Sequence, residues 1–370
     1  MKRVVCLLLA VLTVFAMSTP CFASAEGAVL IDAENGRVLF EHSSSKQLPM
    51  ASTTKIMTAL LALEETNLDE MFTVDSKAIM VEGSSMGLIK GDKVSLRVLA
   101  FGMLLASGND AANAAAVRVS GSVPDFVELM NKRAKEIGME NTSFETPSGL
   151  DGENHYSTAY DMALLAREAL KSPAFAEICG SSSVQLEYGN PPYLRWLSNH
   201  NRLLKTLDGA TGVKTGFTKK SGRCLVSSAE RDGVSLICVT LNCPDDWSYH
   251  TAVYNEYFAA LEAVPLETLV NAVTVPVSGG VANAVSLAPS PVKAALKSGE
   301  YENLKVVLST EPFLFAPVEK GAVAGHAYFY LDNVLIAETA LVTKNPVAEK
   351  APPKRSFWQK IKDFFETKEK

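Results

Sequence analysis

The chain has 370 residues, 47% of them hydrophobic and 21% charged, enough for one large domain and a smaller companion around a substantial core. A formal net charge of −6 leaves no basic surplus to neutralise phosphates, so nucleic acid is excluded as a partner.

Lys2 and Arg3 precede an uncharged apolar run over residues 4–17, and Ala23-Ser24-Ala25 supplies a small-x-small cleavage site. Residues 1–25 therefore read as a signal peptide, with an exported mature chain starting at Glu26. No later stretch approaches about 18 uninterrupted apolar residues, so no further membrane span is expected. Runs 28–32 and 38–41 are strand-like around Glu34-Asn35-Gly36, a hairpin signal. From Ser52 the pattern turns helical, with Ile56, Met57, Leu60 and Leu61 on one face. Further helical runs lie around 109–119, 123–137 and 157–170, and Ser122 with Asp125 resembles a capping box at the start of the second. After Lys214-Thr215-Gly216 the chain reads as strand again, 224–228 and 234–239 flanking Arg231-Asp232-Gly233. A helical run through Tyr254, Phe258 and Leu261 closes this unit. Strands at both ends with helices between predict one mixed sheet built from distant parts of the chain, an α+β architecture with an inserted helical region.

Beyond about residue 264 short β-branched runs at 273–277, 305–308, 327–331 and 334–342 alternate with Gly, Pro, Ser and Asn, predicting a small β-rich domain with a late hairpin at Asp332-Asn333. Residues 346–355 carry Pro346, Pro352 and Pro353 and read as a linker. In 356–370 the residues Phe357, Trp358, Ile361, Phe364 and Phe365 fall on one helical face. That segment is too short to span a bilayer but suits its interface, and 349–370 holds seven basic and four acidic residues. The expected organisation is thus 1–25 signal peptide, 26–263 catalytic domain, 264–345 β-rich domain, 346–355 linker and 356–370 a helix at a membrane surface. Cys179, Cys224, Cys238 and Cys243 remain after cleavage. A chain this large needs no disulfide framework, so buried thiols are expected, with one optional bridge as the alternative.

Ser-x-x-Lys occurs three times, at Ser43/Lys46, Ser52/Lys55 and Ser290/Lys293. Only Ser52 opens a helical pattern, where a spacing of three sets Lys55 one turn along on the same face. A desolvated Lys55 would lose its proton and accept that of the serine, while the helix start offers N–H groups to a developing oxyanion. Ser107-Gly108-Asn109 is the sole Ser-x-Asn and Lys214-Thr215-Gly216 the sole Lys-Thr-Gly, and the latter precedes strand patterning. The three first positions are separated by 55 and 107 residues, in the order Ser-x-x-Lys, Ser-x-Asn, Lys-Thr-Gly.

This ordered set resembles that of serine β-lactamases and penicillin-binding proteins. The stretches 49–58, 107–111, 149–158 and 212–218 look specifically like the low-molecular-mass penicillin-binding D-alanyl-D-alanine carboxypeptidases, and the layout of tail domain and terminal helix is similar. The resemblance implies a penicillin-binding/β-lactamase-like catalytic domain and removal of the terminal D-alanine from peptidoglycan stem peptides ending in D-Ala-D-Ala. It implies Ser52 as nucleophile, Lys55 as acylation base and Ser107 as proton relay. Asn109, Lys214, Thr215, Gly216 and Phe217 bind substrate, and backbone N–H groups of Ser52 and Phe217 form the oxyanion hole. β-Lactams are the implied inhibitors, no cofactor or metal is called for, and the implied location is the outer face of the cytoplasmic membrane, peripherally anchored. Some relatives carry His after Lys-Thr-Gly where this chain has Phe217, which removes any side-chain role in deacylation. A β-lactamase would need a deacylating group, and 107–214 holds no Glu-x-x-Leu-Asn pattern. A non-catalytic sensor or wall-binding protein of the same fold has no need of Ser52 and Lys55 together. A metallopeptidase lacks support, since His42, His155, His200, His250 and His326 are scattered with no His-Glu-x-x-His.

Overall fold

The computed structural model describes residues 25–351. The signal peptide short of Ala25, the linker beyond Ala351 and the amphipathic segment 356–370 lie outside the described residues. The first hairpin is as expected, β1 (Gly27–Asp32) pairing antiparallel with β2 (Val38–His42). In its turn Gly36 takes φ +79°, whereas Asn35 serves through its side chain, whose Oδ1 accepts from the Arg37 N–H at 2.8 Å.

A 3-10 turn over Ala51–Thr54 runs straight into α1 (Lys55–Leu63). The sequence suggests a one-faced helix here. Every residue of α1 is buried, so it threads the core, and Thr58 Oγ1 donates to the Pro147 carbonyl at 2.6 Å. A short ribbon, β3 (Phe72–Thr73) with β4 (Lys93–Val94), precedes α2 (Leu96–Leu104), α3 (Asn109–Ser120), α4 (Val123–Ile137), α5 (Ala159–Leu170) and α6 (Pro173–Gly180). The capping expectation holds for α4, because Ser122 Oγ accepts from the Asp125 N–H and Gly138 ends the helix at φ +88°. Its buried residues Phe126, Met130 and Ala134 form a single stripe at intervals of four.

A hairpin of β5 (Ser183–Gly189) and β6 (Pro192–Ser198) follows, then a turn of helix α7 (Leu203–Thr206) and the strands β7 (Ala210–Thr218), β8 (Gly222–Arg231) and β9 (Val234–Leu241). Helix α8 (Asp246–Ala260) comes next. The main sheet has the order β2-β1-β9-β8-β7, every pair antiparallel, so the chain's first strand lies beside one formed two hundred-odd positions later, at Gly27↔Leu241. Lys214-Thr215-Gly216 does not precede the strand but lies within β7, on the sheet's edge. Both faces of the sheet are covered, which is why β1 reads as an unbroken apolar run. Val29 and Ile31 join the helices α1–α6 in one core, and Ala28 and Leu30 join Tyr254 and Val253 of α8 in another.

His250 of α8 is wholly buried between Ser227 (2.7 Å) and Thr240 (2.9 Å), and burial lowers its pKa to about 3. His155, also buried, is lowered to about 4. Both stay neutral in the fold, so protonation favours the unfolded chain. Their stabilising contribution is complete above pH 6.5 and is lost as pH falls from there towards 4, each pKa unit being worth about 1.4 kcal/mol. The thermal unfolding midpoint is expected to drop across that window, and a flat midpoint in a pH-resolved melting series would contradict it. Cys179, Cys224 and Cys238 are buried free thiols and Cys243 is buried as well, with Cys179 raised to about 12 and Cys224 and Cys243 to about 11 by burial, which keeps them protonated.

After α8 come β10 (Leu261–Pro265), β11 (Val273–Ser278), β12 (Ala284–Pro289), β13 (Lys293–Lys297), β14 (Lys305–Thr310), β15 (Leu314–Phe315), β16 (Val323–Leu331) and β17 (Val334–Thr343). Six of them form a second sheet, β14-β16-β17-β12-β11-β15, around a separate core that includes Phe329, Leu287 and Val275. The hairpin turn at Asp332-Asn333 has both residues at positive φ, 49° and 67°. β10 pairs with β13, and Arg37 reaches across to Glu300 at 3.1 Å and to the Ala295 carbonyl at 2.9 Å. The start of the expected linker is tied down on this sheet, since Val347 is buried and exchanges two backbone hydrogen bonds with Val318.

Candidate active site

Three chain segments meet at the N-terminal end of α1. The 3-10 turn presents Ser52, the loop after α2 presents Ser107 just before α3, and β7 passes alongside. Ser52, Ser107, Thr215, Gly216 and Phe217 line one cleft of about 270 Å³, together with Ser84, His200, Arg223, Asp246 and Trp247. Backbone conformations that L residues seldom adopt flank it: Ala51 at φ +48° and Ser107 at φ +58°.

Lys55 is completely buried and has three partners. Its Nζ lies 2.9 Å from Ser52 Oγ, 2.7 Å from Asn109 Oδ1 and 2.6 Å from the Ser148 carbonyl. Asn109 Nδ2 donates to the Glu82 carbonyl at 2.6 Å, which fixes the amide so that Oδ1 faces the lysine. Two of the three partners are obligate acceptors and the third is a hydroxyl. A neutral amine, with two N–H groups and one lone pair, satisfies this set completely by donating to Asn109 and Ser148 and accepting from Ser52. Burial, and then the charge of Lys214, hold the Lys55 pKa well below its ordinary value, while Asp110 opposes the shift. The arrangement can therefore take a proton from Ser52 Oγ.

Lys214 is also buried, donates to the Thr215 carbonyl at 2.7 Å and has its pKa lowered to about 7 by desolvation. Gly216 has a steric task. A Cβ there would stand 3.0 Å from the Met50 carbonyl and 3.1 Å from the Ser52 and Thr53 nitrogens, so glycine lets β7 lie this close to the serine turn and a side chain would push the two apart by a few tenths of an ångström. Phe217 is 65% exposed at the mouth.

The supporting contacts are dense. Asp110, next to Asn109, accepts from the N–H groups of Met86, Gly87 and Leu88 and from Ser85 Oγ, holding the loop that carries Ser84. His155 Nδ1 accepts from the Glu145 N–H, so the ring proton is on Nε2 and is donated to Thr54 Oγ1 at 2.9 Å. This ties the 145–155 loop, which includes Ser148, to the residue preceding Lys55. Gly149, at φ +83°, passes so close to the Ala51 carbonyl that any Cβ would clash.

Of the eight expected site residues, Ser52, Ser107, Thr215, Gly216 and Phe217 line the cleft, while Lys55, Asn109 and Lys214 are buried behind it, Lys55 bonded to both Ser52 and Asn109 and Lys214 next to Thr215 on β7. The other two Ser-x-x-Lys pairs lie elsewhere: Lys46 pairs with Glu26 at 2.9 Å, and the Ser290 carbonyl accepts from Thr339 on the second sheet. Sequence reasoning missed His200, Arg223, Asp246 and Trp247. Arg223 donates to Asp246 Oδ1 at 3.0 and 2.8 Å and sits 5.3 Å from the Trp247 ring. Had β7 been recognised as a strand, the hairpin register Phe217↔Arg223 would have brought Arg223 to the site.

A family model described as D-alanyl-D-alanine carboxypeptidase matches residues 13–245, and one described as penicillin-binding protein 5, C-terminal domain, matches 268–349. The chain is 35% identical over 331 residues to D-alanyl-D-alanine carboxypeptidase DacF of Bacillus subtilis, covering 86% of this chain and 85% of that one. It is 33% identical over 357 residues to D-alanyl-D-alanine carboxypeptidase DacC of Escherichia coli, covering 91% and 86%. The solved structure of penicillin-binding protein 5 from Haemophilus influenzae superposes with a TM-score of 0.70 at 30% identity, covering 90% of this chain and 99% of that one.

Proposed function

The chain belongs to the D-alanyl-D-alanine carboxypeptidase family, and from that premise we propose that it removes the terminal D-alanine of peptidoglycan stem pentapeptides through an acyl-enzyme on Ser52. The observation that carries the reading is the buried Lys55 amine, its Nζ 2.9 Å from Ser52 Oγ and held by the Asn109 Oδ1 and Ser148 carbonyl acceptors. Ser52 Oγ attacks the carbonyl carbon of the penultimate D-alanine and its proton passes to Lys55. The oxyanion forms between the Ser52 and Phe217 N–H groups, each such donor being worth about 3 kcal/mol. Collapse breaks the C–N bond, and the proton returns through Ser107 to the departing amine. Water then releases the shortened peptide. Asn109 holds the substrate amide and Lys55, while Lys214, Thr215 and Gly216 form the wall that takes the terminal carboxylate. β-Lactams acylate the same serine.

The test is release of D-alanine from diacetyl-L-Lys-D-Ala-D-Ala by the chain from Glu26 onward, beside Ser52→Ala. Release abolished by the substitution supports the assignment. No release with penicillin still attached to Ser52 would instead mark a slow-deacylating sensor.

The two lysines impose opposite pH demands. Acylation needs Lys55 neutral, so kcat/KM rises with pH through its lowered pKa, whereas carboxylate binding needs Lys214 charged and weakens above about pH 7. A bell-shaped profile is expected, and Lys214→Arg, which stays charged, should flatten its descending limb. A limb unmoved by that variant would assign it elsewhere.

The reading extends to organisation and place. The division into 26–263 catalytic and 264–345 β-rich domains is supported by two separate sets of sheet and core. Among the described residues no helix is long and apolar enough to cross a membrane. Segment 356–370, with its aromatic face and basic flank, holds the exported chain at the outer surface of the cytoplasmic membrane.

A further inference from the structure

We propose that the loop carrying Phe313 and Phe315 is a second bilayer contact, inserting into the membrane interface beside the point where the chain continues towards 356–370. The inference rests on the reading that this segment lies in a bilayer. Phe315 is 72% exposed and Phe313 46%, their rings packed edge to face at 5.1 Å, and Val281, 68% exposed, belongs to the same end of the second sheet. Aromatic side chains bared as a pair on a sheet edge are unusual unless something covers them.

Backbone contacts fix where this ridge stands. Phe315 is paired with Ser278 on β11, and the adjacent Gly279 carbonyl accepts from the Lys350 N–H at 2.7 Å. Val281 N–H donates to the Ala348 carbonyl at 2.9 Å. The chain therefore leaves the described fold at Ala351 within a residue or two of the ridge, and a tail lying in an interface would bring that ridge down onto it. Val307 and Leu308 on β14 are also exposed but lie at the opposite edge of this sheet.

The edge is poorly suited to another β-strand. Pro312 and Pro317 have no N–H, and the N–H groups of Glu311, Ala316 and Val318 are already given to Ala324, Ser278 and Val347. Side chains, not backbone, are what this edge offers. Its exposed charges are mixed, Glu311, Glu319 and Glu349 beside Lys320, Lys344 and Lys350, so apolar insertion carries the contact and anionic lipid is not required.

The experiment uses the chain from Glu26 to Lys370 and vesicles of phosphatidylcholine, with and without phosphatidylglycerol. Phe313→Ser/Phe315→Ser is expected to lower vesicle partitioning by about tenfold in both compositions, with D-alanine release from soluble peptide unchanged. Phe315→Trp, read as a difference from the parent's emission, should shift to the blue on vesicle addition and be quenched by brominated lipid. Equal partitioning of the double serine variant and the parent overturns the ridge and leaves the tail standing. Emission already blue and shielded from acrylamide without vesicles overturns it too. Concentration-independent shielding would mean that 356–370 covers the ridge, and concentration-dependent shielding that a second copy does. A parent chain that ignores vesicles altogether sinks both readings.

Discussion

Lys55→Ala and Ser52→Ala are each expected to lower D-alanine release by about 10⁴-fold or more, and the double variant to be no worse than either alone. The two groups act as one unit. Without Lys55 the serine keeps its proton at neutral pH, and without Ser52 the amine has nothing to activate. Among the hydrogen bonds of the described residues, Lys55 Nζ is the titratable group that reaches Ser52 Oγ, at 2.9 Å, and Asn109 Oδ1 and the Ser148 carbonyl hold it there, whereas His200 and Asp246 line the same cleft without such a bond. Lys55→Arg should be as inactive as the alanine variant, since a guanidinium does not surrender its proton. Single-turnover acylation by a fluorescent penicillin separates this step from hydrolysis. More than a hundredth of the parent rate in Lys55→Arg would remove Lys55 from the role of base.

Gly216→Ala is expected to cost about 10²–10³ in kcat with little change in melting temperature. The added carbon would stand 3.0–3.1 Å from the Met50 carbonyl and the Ser52 and Thr53 nitrogens, so β7 must draw back by a few tenths of an ångström. A packed edge strand tolerates that shift. The oxyanion site does not, because one of its donors is on the serine turn and the other on β7. The loss should thus fall on acylation by penicillin as much as on peptide turnover. A variant acylating at the parent rate would place the oxyanion somewhere other than between these two elements.

Elements whose ends carry their own chemistry were legible in the sequence. α4 begins and ends where Ser122, Pro124 and Gly138 mark it, and the first hairpin is set by Gly36. Helix α2 escaped notice because Leu96–Leu104 is apolar nearly all round, as a buried helix must be, and shows no period. The β5–β6 hairpin was hidden by Asn190-Pro191-Pro192, which reads as loop although Asn190-Pro191 is the turn and Pro192 already opens β6, opposite Gly189. Lys-Thr-Gly reads as a prelude to a strand because lysine and glycine are poor strand formers. Tertiary need overrides that preference here, the glycine for close approach and the lysine for a buried charge. The motif residues of the site were all recognisable. Arg223, Asp246 and Trp247 were not, since no short-range pattern links them and only the fold makes them neighbours of Ser52.

The strand order of the main sheet also has a kinetic consequence. β1 is complete after thirty-two residues, yet its central neighbour β9 is not available until Leu241 has been made, and β7 joins β1 only through β8 and β9. Loop closure over such a separation is entropically unfavourable until the whole sheet can form, which places this fold among the high-contact-order topologies that assemble slowly. The helices between can gather early around α1, carrying Ser52 and Lys55 with them. Gly216 and Phe217 arrive only with the last strand. Acquisition of penicillin reactivity during refolding is therefore a clock for closure of the sheet, and helix formation, however early, leaves the serine without the far wall it works against.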